Sequence, residues 1–383
     1  MLPRTVSAHD SRRSRRDPTA PFRHLDPVLV VCTIALGLIG VVAVYSATRG
    51  PGPDFVDTYL VRQFGFVVIG VVVMGVFAVV DYHKLHDWAW LFYAGTTGLL
   101  VLVLSPLGTG GEAKGAQAWF SLGPFQLQPA EFAKLSLIAA LAFLLSEFKG
   151  DIDLRRLAAL LVVAGVPMAL IMLQPDIGLV LILTIITLAL FVVGGVPAKY
   201  LAVLTLVAAV GVVGVLNSPL LKEYQRDRFT TFLDPENTSS EARYNVEQSQ
   251  QAIATGGLTG EGLFNGPQTR LGFVPEQETD FIFTSVAEQF GFVGSGLILG
   301  LYGVICYRIW RIASIARDPF GSFVCIGVLA MFAFSVFENV GMATGIMPVT
   351  GIPLLLLSSG GSSTITAFAG IGLVLNVHMR RFR

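Results

Sequence analysis

The sequence predicts an all-α polytopic membrane protein. Three observations support this fold class: the composition, the long apolar segments and the placement of the basic residues. The chain has 383 residues, of which 53% are hydrophobic and only 14% are charged. Soluble domains carry about 25% charged residues, so this composition is typical of a chain that lies mostly in lipid. The formal net charge is zero, which gives no indication of nucleic-acid binding.

Ten apolar segments approach the length of about 20 residues that a membrane-spanning helix needs. They lie near residues 27–47, 64–80, 88–105, 131–147, 157–173, 177–194, 199–216, 288–308, 319–342 and 363–379. The first segment is long enough to span, so we expect a retained helix and not a cleaved signal peptide.

The basic residues predict the orientation of these spans, because short cytoplasmic loops are enriched in Lys and Arg. The N-terminal tail holds six arginines between Arg4 and Arg23, and the chain ends with Arg380, Arg381 and Arg383. Alternate connections carry further cations at Lys84, Lys149, Arg155, Arg156, Lys199, Arg308, Arg311 and Arg317. Both termini are therefore predicted to lie in the cytoplasm, in a multi-pass protein of the cytoplasmic membrane.

The chain is predicted to consist of a basic tail and a single integral membrane domain. Residues 1–24 form the tail, which we expect to be disordered and to contact anionic lipids, and residues 25–383 form the domain. A large loop at about 217–287, between spans seven and eight, far exceeds an ordinary connection. It is predicted to be extracytoplasmic, as either a small lid or a functional site. Residues 105–130, 173–178 and 343–362 are predicted to face the same side.

The fourth span begins with a pair of opposite charges. Glu131 and Lys134 are three residues apart, a spacing that places them on one helical face, close enough to pair. Charges inside a membrane are costly and tend to be functional. The alternative is an interfacial pair that extends towards the lipid headgroups. Pro129 suits the first turn of this helix and supports its start here.

The sequence "LQPDIG" at residues 173–178 predicts a tight turn between spans five and six. Asp176 lies at the tip of this turn, where it can cap span six by accepting backbone N–H groups. A catalytic role is the alternative, and the two are compatible.

The long loop carries more positive charge than the positive-inside trend predicts for an outward segment. Its cations would suit an anionic ligand such as a pyrophosphate, and the alternative is a solvated surface. They are Lys222, Arg226, Arg228, Arg243 and Arg270.

The stretch "VPEQETDFIFTS", residues 274–285, places three acids directly before an apolar run. In an extended conformation Glu276, Glu278 and Asp280 would all face one way, whereas in a helix they would spread around it. Asp280 is nearest to the apolar residues, so it is predicted to be the most desolvated and is the candidate general base. The alternative is a structural role, with Thr279 or Asp280 as the N-cap of span eight.

The stretch "PVTGIPLLLLSSGGSSTIT", residues 348–366, interrupts the helical pattern with Pro348, Gly351 and Pro353. Non-helical backbone at membrane depth is tolerated only where it is buried in protein or lines a cavity. This stretch is therefore either a re-entrant cavity wall or an interfacial loop. Glu338 and Asn339, late in span nine, add polar atoms on the same side.

Taken in order, these segments resemble the SEDS family of bacterial cell-wall proteins, and within it the RodA type. The resemblance covers residues 27–379. Its motifs are "QPAEFAKL", "QPDIG", "FLDPENTSSEARYNVEQSQQAIATGGLTGEGL", "VPEQETDFIF" and "GIMPVTGIPLLLLSSGGSS".

The resemblance implies a peptidoglycan glycosyltransferase that polymerises lipid II, with a class B penicillin-binding protein as its partner. The essential aspartate of the family falls on Asp280, which the resemblance makes the catalytic residue. The candidate substrate-binding residues are Glu131, Lys134, Asp176, Arg228, Gln248, Ser249, Thr279 and Ser362. No metal-ligand spacing is present, and the one cofactor considered is a divalent cation, Mg²⁺ or Mn²⁺.

Several positions depart from the usual family pattern. Ala118 stands where an Arg is common, Glu278 replaces a usual His, Glu261 replaces a Lys, and Ser359 replaces a Tyr. The other functions considered are a lipid II flippase, an FtsW-like polymerase of cell division, and a non-catalytic scaffold. A flippase needs polar groups along a whole path, whereas the acids here cluster at one side.

Overall fold

The computed structural model describes residues 24–382, except 51–57, 110–116, 124, 217–231 and 233–239. The predicted basic tail before His24, and the predicted long loop before residue 240 apart from Phe232, lie outside these residues. The described chain contains one short antiparallel hairpin, in which Phe120–Leu122 (β1) pairs with Phe125–Leu127 (β2).

The remaining secondary structure is helical, and the described residues form twelve named helices. In chain order these are α1 Pro27–Thr48, α2 Thr58–Val79, α3 Tyr82–Val103, α4 Pro129–Phe148, α5 Leu154–Met172, α6 Ile177–Val193, α7 Ala198–Leu216, α8 Ser240–Gly256, α9 Pro267–Leu271, α10 Ile282–Ser314, α11 Pro319–Thr344 and α12 Gly361–Arg380.

Seven helices in the described part of the chain are long and apolar enough to cross a membrane: α1, α2, α4, α5, α10, α11 and α12. Two further apolar helices, α6 and α7, contribute shorter stretches. Each of the ten predicted segments overlaps one helix, α3 included, while α8 and α9 lie inside the predicted long loop. The protein is therefore a multi-pass membrane protein.

Aspartates begin several of these helices. Asp26, Asp153 and Asp318 are the N-cap residues of α1, α5 and α11, and each side chain accepts a first-turn backbone N–H at 2.8–3.1 Å. A carboxylate at this position satisfies an N–H that has no partner within the helix. Proline follows in the first turn of α1 and of α11, where its missing N–H costs no helical hydrogen bond.

The core of the bundle is built around α12. Of its residues from Ser362 to Arg380, only Ile365 is not buried. A Cβ added at Gly372 would lie 2.6 Å from the carbonyl oxygen of Met74 on α2, so the two helix backbones approach closely, as small residues allow in membranes. In contrast, α7 exposes a face of large apolar side chains, which suits contact with lipid: Val203, Leu206, Val207 and Val210.

α10 is broken at Gly291, and the break determines the direction of the segment before it. Gly291 has φ 63° and ψ −163°, a conformation that is open essentially only to glycine. The backbone after α8 fills this break, because Phe292 and Val293 donate their N–H groups to the carbonyl oxygens of Gly257 and Leu258 at 2.9 and 3.1 Å.

Glycine is required where the two backbones meet. A Cβ at Gly256 would lie 2.1 Å from the carbonyl oxygen of Ala287, and one at Gly260 would lie 2.2 Å from that of Gln289. The residues before the break, Ile282 to Gln289, are all buried, and we call them the buried half-helix. The predicted segment near 288–308 overlaps α10, whose helical residues begin six positions earlier, at Ile282.

Candidate active site

Polar residues from four separate segments meet at one end of the bundle. The two ends of the described chain lie at the other end, where the rings of His24 and Phe382 are 4.9 Å apart. These segments are the start of α4, the α5–α6 turn, the turn before α10 and the non-helical stretch between α11 and α12. Asp176 interacts electrostatically with Glu131, Lys134 and Asp280, so the four side chains lie near one another. We call these four residues the charged mouth.

Glu131 and Lys134 form a buried ion pair at the start of α4. The Lys134 Nζ lies 2.7 Å from the Glu131 Oε2, and the side chains are only 1% and 3% exposed, respectively. The predicted pairing is confirmed, and the alternative of a pair extending to the headgroups is wrong, because neither side chain reaches the surface. Removing two charges from water carries a penalty that only good pairing offsets. The pair therefore brings opposite charges into the interior of the bundle.

Asp176 caps α6, as the sequence predicts. Its Oδ1 accepts the backbone N–H of Leu179 at 3.0 Å. Its carboxyl group lies in the connection between α5 and α6, outside both helices, and burial raises its pKa to about 6. The Leu179 N–H opposes this rise, as does Lys134, while the negative charges of Glu131 and Asp280 add to it. Asp176 is therefore poised to change protonation near neutral pH.

Gln128 connects the start of α4 with the α5–α6 turn and the start of α12, and the sequence analysis did not name it as a site residue. It is the N-cap residue of α4, and its side-chain amide donates to the Asp176 Oδ2 at 3.3 Å. Its backbone N–H donates to the Ser362 Oγ at 3.0 Å, at the start of α12. The available signal was its position directly before Pro129, where an N-cap residue is expected.

Asp280 lies in a tight turn directly before the buried half-helix. The N–H groups of Asp280 and Phe281 donate to the Glu276 carbonyl oxygen at 3.0 and 3.3 Å. Phe281 occupies the N-cap position, and no side chain caps this described helix end. Both the extended conformation and the N-cap role for Thr279 or Asp280 are therefore wrong. Glu276 is exposed, whereas Asp280 is partly buried.

Two side chains hold the backbone of this turn by hydrogen bonds to its carbonyl oxygens. Asn339 on α11 donates through its Nδ2 to the carbonyl oxygens of Asp280 at 2.8 Å and Ile352 at 2.9 Å. The Ser358 Oγ donates to the carbonyl oxygen of Thr279 at 2.6 Å. The non-helical stretch and the end of α11 therefore fix the backbone on which the Asp280 carboxylate is carried.

The non-helical stretch itself is buried in protein. Leu354, Leu355, Leu356 and Leu357 are each at most 1% exposed. Tyr302 donates its hydroxyl to the Leu355 carbonyl oxygen at 2.6 Å, which satisfies a polar group that would be costly to leave unpaired. The interfacial-loop alternative is wrong, and the stretch forms an internal wall.

The other candidate substrate-binding residues are placed less uniformly. Ser249 is fully buried, and its hydroxyl lies 2.6 Å from the Thr284 Oγ1 and donates to the Ala343 carbonyl oxygen at 2.8 Å, which holds α8 against α10 and α11. Gln248, next to it, is partly exposed. The Thr279 hydroxyl donates to the Glu276 carbonyl oxygen at 3.2 Å. Arg228 lies outside the described residues.

Glu288 is a buried acid that the sequence analysis did not single out, although its position in an apolar segment was a signal. Its side chain on the buried half-helix accepts the N–H groups of Gln268 and Thr269 at 2.7 and 2.8 Å and the Thr269 hydroxyl at 2.5 Å. These partners precede it by 19 and 20 residues. Glu288 therefore fixes α9, and with it the approach to the Asp280 turn.

The sequence of the chain matches a family model over nearly its whole length. The family described as "Cell cycle protein", which groups FtsW, RodA and SpoVE, matches residues 26–382 of this chain. The chain belongs to this family. The resemblance found from the motifs is thereby confirmed.

Relatives from several branches of the family match nearly the whole chain. Probable peptidoglycan glycosyltransferase FtsW of Geobacter sp. (strain M18) is 35% identical over 360 residues, 93% of this chain and 97% of that protein. Stage V sporulation protein E of Bacillus subtilis (strain 168) is 38% identical, over 92% and 96%. Peptidoglycan glycosyltransferase MrdB of Escherichia coli (strain K12) is 34% identical, over 94% of each.

Solved structures show the same fold. A chain from "Structural coordination of polymerization and crosslinking by a peptidoglycan synthase complex" superimposes with a TM-score of 0.78 and 33% identity, over 94% of this chain and 99% of that one. The rod shape determining protein RodA of Thermus thermophilus gives a TM-score of 0.69 and 30% identity, over 94% and 98%. The fold is therefore RodA-like.

Proposed function

We propose that this family member is a peptidoglycan glycosyltransferase. It polymerises lipid II, the undecaprenyl-pyrophosphate-linked disaccharide peptide, into β-1,4-linked glycan strands. Relatives named for this activity align over more than nine-tenths of the chain. The observation that carries the proposal is the Asp280 carboxylate, which shares an electrostatic neighbourhood with the buried Glu131–Lys134 pair through Asp176.

Asp280 acts as the general base in an inverting transfer. It accepts the proton of the GlcNAc 4-hydroxyl of the acceptor, whose oxygen attacks the anomeric carbon of a lipid-linked MurNAc. The bond from that carbon to the pyrophosphate breaks, and undecaprenyl pyrophosphate leaves. A base must be held within hydrogen-bond reach of the proton that it accepts, and the bonds from Asn339 and Ser358 to the Asp280 turn provide such positioning.

The pyrophosphate leaving group requires positive charge. Lys134 is the described cation of the charged mouth, and Arg228 is the proposed cation of the long loop. Asp176, Gln248, Thr279 and Ser362 are assigned to contacts with the substrate. Glu131 contributes by holding Lys134 in the charged mouth, and Ser249 acts through its hold on α8. A Mg²⁺ or Mn²⁺ ion would be held by one or two of the mouth carboxylates together with substrate phosphates, as is usual for Mg²⁺.

The chain crosses the cytoplasmic membrane ten times, with both termini in the cytoplasm. This topology rests on the basic tail and on the cations of alternate connections. It places the charged mouth and the loop at 217–287 on the outer face, where glycan strands are made. The seven spanning helices and the apolar helices α6 and α7 are compatible with it.

The proposed partner is a class B penicillin-binding protein, which crosslinks the strands. A structural neighbour comes from a peptidoglycan synthase complex that couples polymerisation with crosslinking. We assign the chain to cell elongation and shape on the RodA-type motifs. FtsW and Stage V sporulation protein E relatives are equally similar, so a division role is the alternative that a depletion phenotype would reveal.

A polymerisation assay on the purified chain tests the proposal. With fluorescent lipid II, the unmodified protein should form polymer, and Asp280→Asn, which removes the base but keeps the side-chain shape, should form none. Glu276→Gln is the matched control, because Glu276 lies in the same turn and is exposed. Full polymerisation by Asp280→Asn would refute the base assignment. Lipid II scrambling in liposomes that survives this change, without any polymerisation, would instead support a flippase.

A further inference from the structure

A polar cavity lies beside the end of α1, and its lining is separate from the residues of the charged mouth. It has a volume of about 170 Å³ and is lined by the end of α1, the loop before α9 and the buried half-helix. None of Glu131, Lys134, Asp176 and Asp280 is among its lining residues. These are Ser46, Arg49, Gly50, Phe264, Asn265, Gly266, Thr269, Arg270 and Gln289.

Among the described residues, the lining includes two arginines and no acidic residue. They are Arg49 and Arg270. The nearby acid, Glu288, lies behind Gly266 and Thr269, and both of its oxygens accept hydrogen bonds there. The described lining is therefore cationic, and the negative charge of Glu288 lies behind it, held by neutral backbone and hydroxyl donors.

The donors of the cavity are held in place. The Arg49 guanidinium carbon lies 5.0 Å from the centre of the Phe264 ring, a cation–π contact that orients the side chain. The Gln289 Oε1 accepts both the Ser46 hydroxyl at 2.6 Å and the Phe264 N–H at 3.1 Å. Because this oxygen is occupied twice, the Gln289 amide nitrogen is the atom that remains to donate, and Asn265 adds a second amide.

We propose that this cavity binds a phosphate or diphosphate group. Two guanidinium groups match the charge of such a group and can bind it with paired, charge-assisted hydrogen bonds. Sites for drug-sized molecules occupy about 300–1,000 Å³, so a cavity of about 170 Å³ suits the anionic group alone, with any remainder of the ligand outside. Sources of this chemistry are a lipid headgroup and a soluble phosphate compound.

The cavity is connected to the Asp280 turn by one side chain. The Gln277 Nε2 donates to the carbonyl oxygens of Ala47 at 2.6 Å and Thr269 at 3.0 Å. Gln277 therefore holds the end of α1 and the end of α9 together, three residues before Asp280. An anion bound by both Arg49 and Arg270 would strengthen this same contact between the end of α1 and α9.

Titration calorimetry with inorganic pyrophosphate tests the proposal on the full chain in phosphatidylcholine nanodiscs. Arg49→Gln and Arg270→Gln should each weaken binding by about tenfold or more, because each removes hydrogen bonds from a charged group. Arg243→Gln is the matched control: Arg243 is a cation of the same loop, but it pairs with Glu247 at 2.6 Å on α8 and does not line the cavity. Its affinity should stay within twofold of that of the unmodified protein.

Unchanged affinity in both cavity variants, or an equal loss in Arg243→Gln, would overturn the proposal, since either result would mean diffuse attraction to the surface. If a Gln variant does not fold, Arg49→Lys and Arg270→Lys retain the charge but lose the planar fork. They should then bind several-fold more weakly, and full affinity in both would also overturn the assignment.

Nanodiscs that contain phosphatidylglycerol identify the source of the phosphate. A headgroup that occupies the cavity would compete with pyrophosphate and raise its apparent Kd for the unmodified protein, whereas a soluble ligand would leave the Kd unchanged. The readout is binding and not polymer synthesis, and every variant keeps Lys134, the pyrophosphate cation proposed for the charged mouth. A loss confined to the Arg49 and Arg270 variants therefore reports on the cavity, whether or not the glycosyl transfer is correct.

Discussion

The buried ion pair at the start of α4 allows a quantitative test of the site. The Lys134 Nζ lies 2.7 Å from the Glu131 Oε2, with both side chains at most 3% exposed. At an effective dielectric constant of about 20, two unit charges at this distance attract by roughly 6 kcal/mol. The desolvation of both groups offsets much of this attraction. The pair therefore contributes little net stability, but each charge depends on the other.

Lys134→Met removes the cation and leaves the Glu131 carboxylate buried without its counter-charge. Breaking a buried pair in this way costs about 3–5 kcal/mol. Combining it with Glu131→Leu removes both charges, and the double variant should recover at least half of the loss, because replacement of a buried pair by apolar residues is often neutral. If Lys134 binds the pyrophosphate, both Lys134→Met and the double variant should fail to polymerise lipid II.

The measurement is the free energy of unfolding of all four proteins in a double-mutant cycle, by denaturant titration in detergent micelles. Arg156→Met is the matched control, because Arg156 pairs at 2.6 Å with the exposed Asp151 and surface pairs contribute only about 0–1 kcal/mol. Losses that simply add in the double variant would refute the reasoning, since they would show that the two charges do not stabilise each other.

Two further predictions concern the charged mouth. Asn339→Ala removes the donor to the carbonyl oxygens of Asp280 and Ile352. It should lower the free energy of unfolding by about 1–3 kcal/mol and also lower the polymerisation rate. A loss of stability with a normal rate would show that this bond does not position Asp280. The pKa of Asp176 is raised to about 6 from 3.8, so the folded state holds more protons than the unfolded state between these values. Stability should therefore fall as the pH rises from about 4 to about 6, by at most about 3 kcal/mol. Asp176→Asn should flatten this part of the pH profile of unfolding, and an unchanged profile would contradict the raised pKa.

The sequence predicted the features that depend on nearby residues. The apolar segments predict helices because a stretch of spanning length is a local property. The Asp176 cap and the Glu131–Lys134 pair involve residues three apart, and both are confirmed. The site roles of the candidate residues, from Asp280 to Ser362, stay predictions.

The contacts that position Asp280 could not be found in this way, because their partners are distant in the chain. Asn339 reaches the Asp280 carbonyl oxygen across 59 residues, and Ser358 reaches that of Thr279 across 79. The break at Gly291 was missed for the same reason, since the backbone of Gly257 and Leu258 fills it. A glycine in an apolar segment does not by itself indicate which strand of backbone approaches it.

The sequence by itself determined that this is a multi-pass helical protein of the SEDS family, because hydropathy, helix caps and family motifs each depend on residues that are close together in the chain. The tertiary structure alone decided which charges are buried and which of them meet. Burial of a carboxylate depends on the elements packed around it, as the difference between the fully buried Glu288 and the exposed Glu276 shows. The sequence around Glu288 is more apolar than that around Glu276, but only the packing shows that Gln268 and Thr269 surround the Glu288 carboxylate.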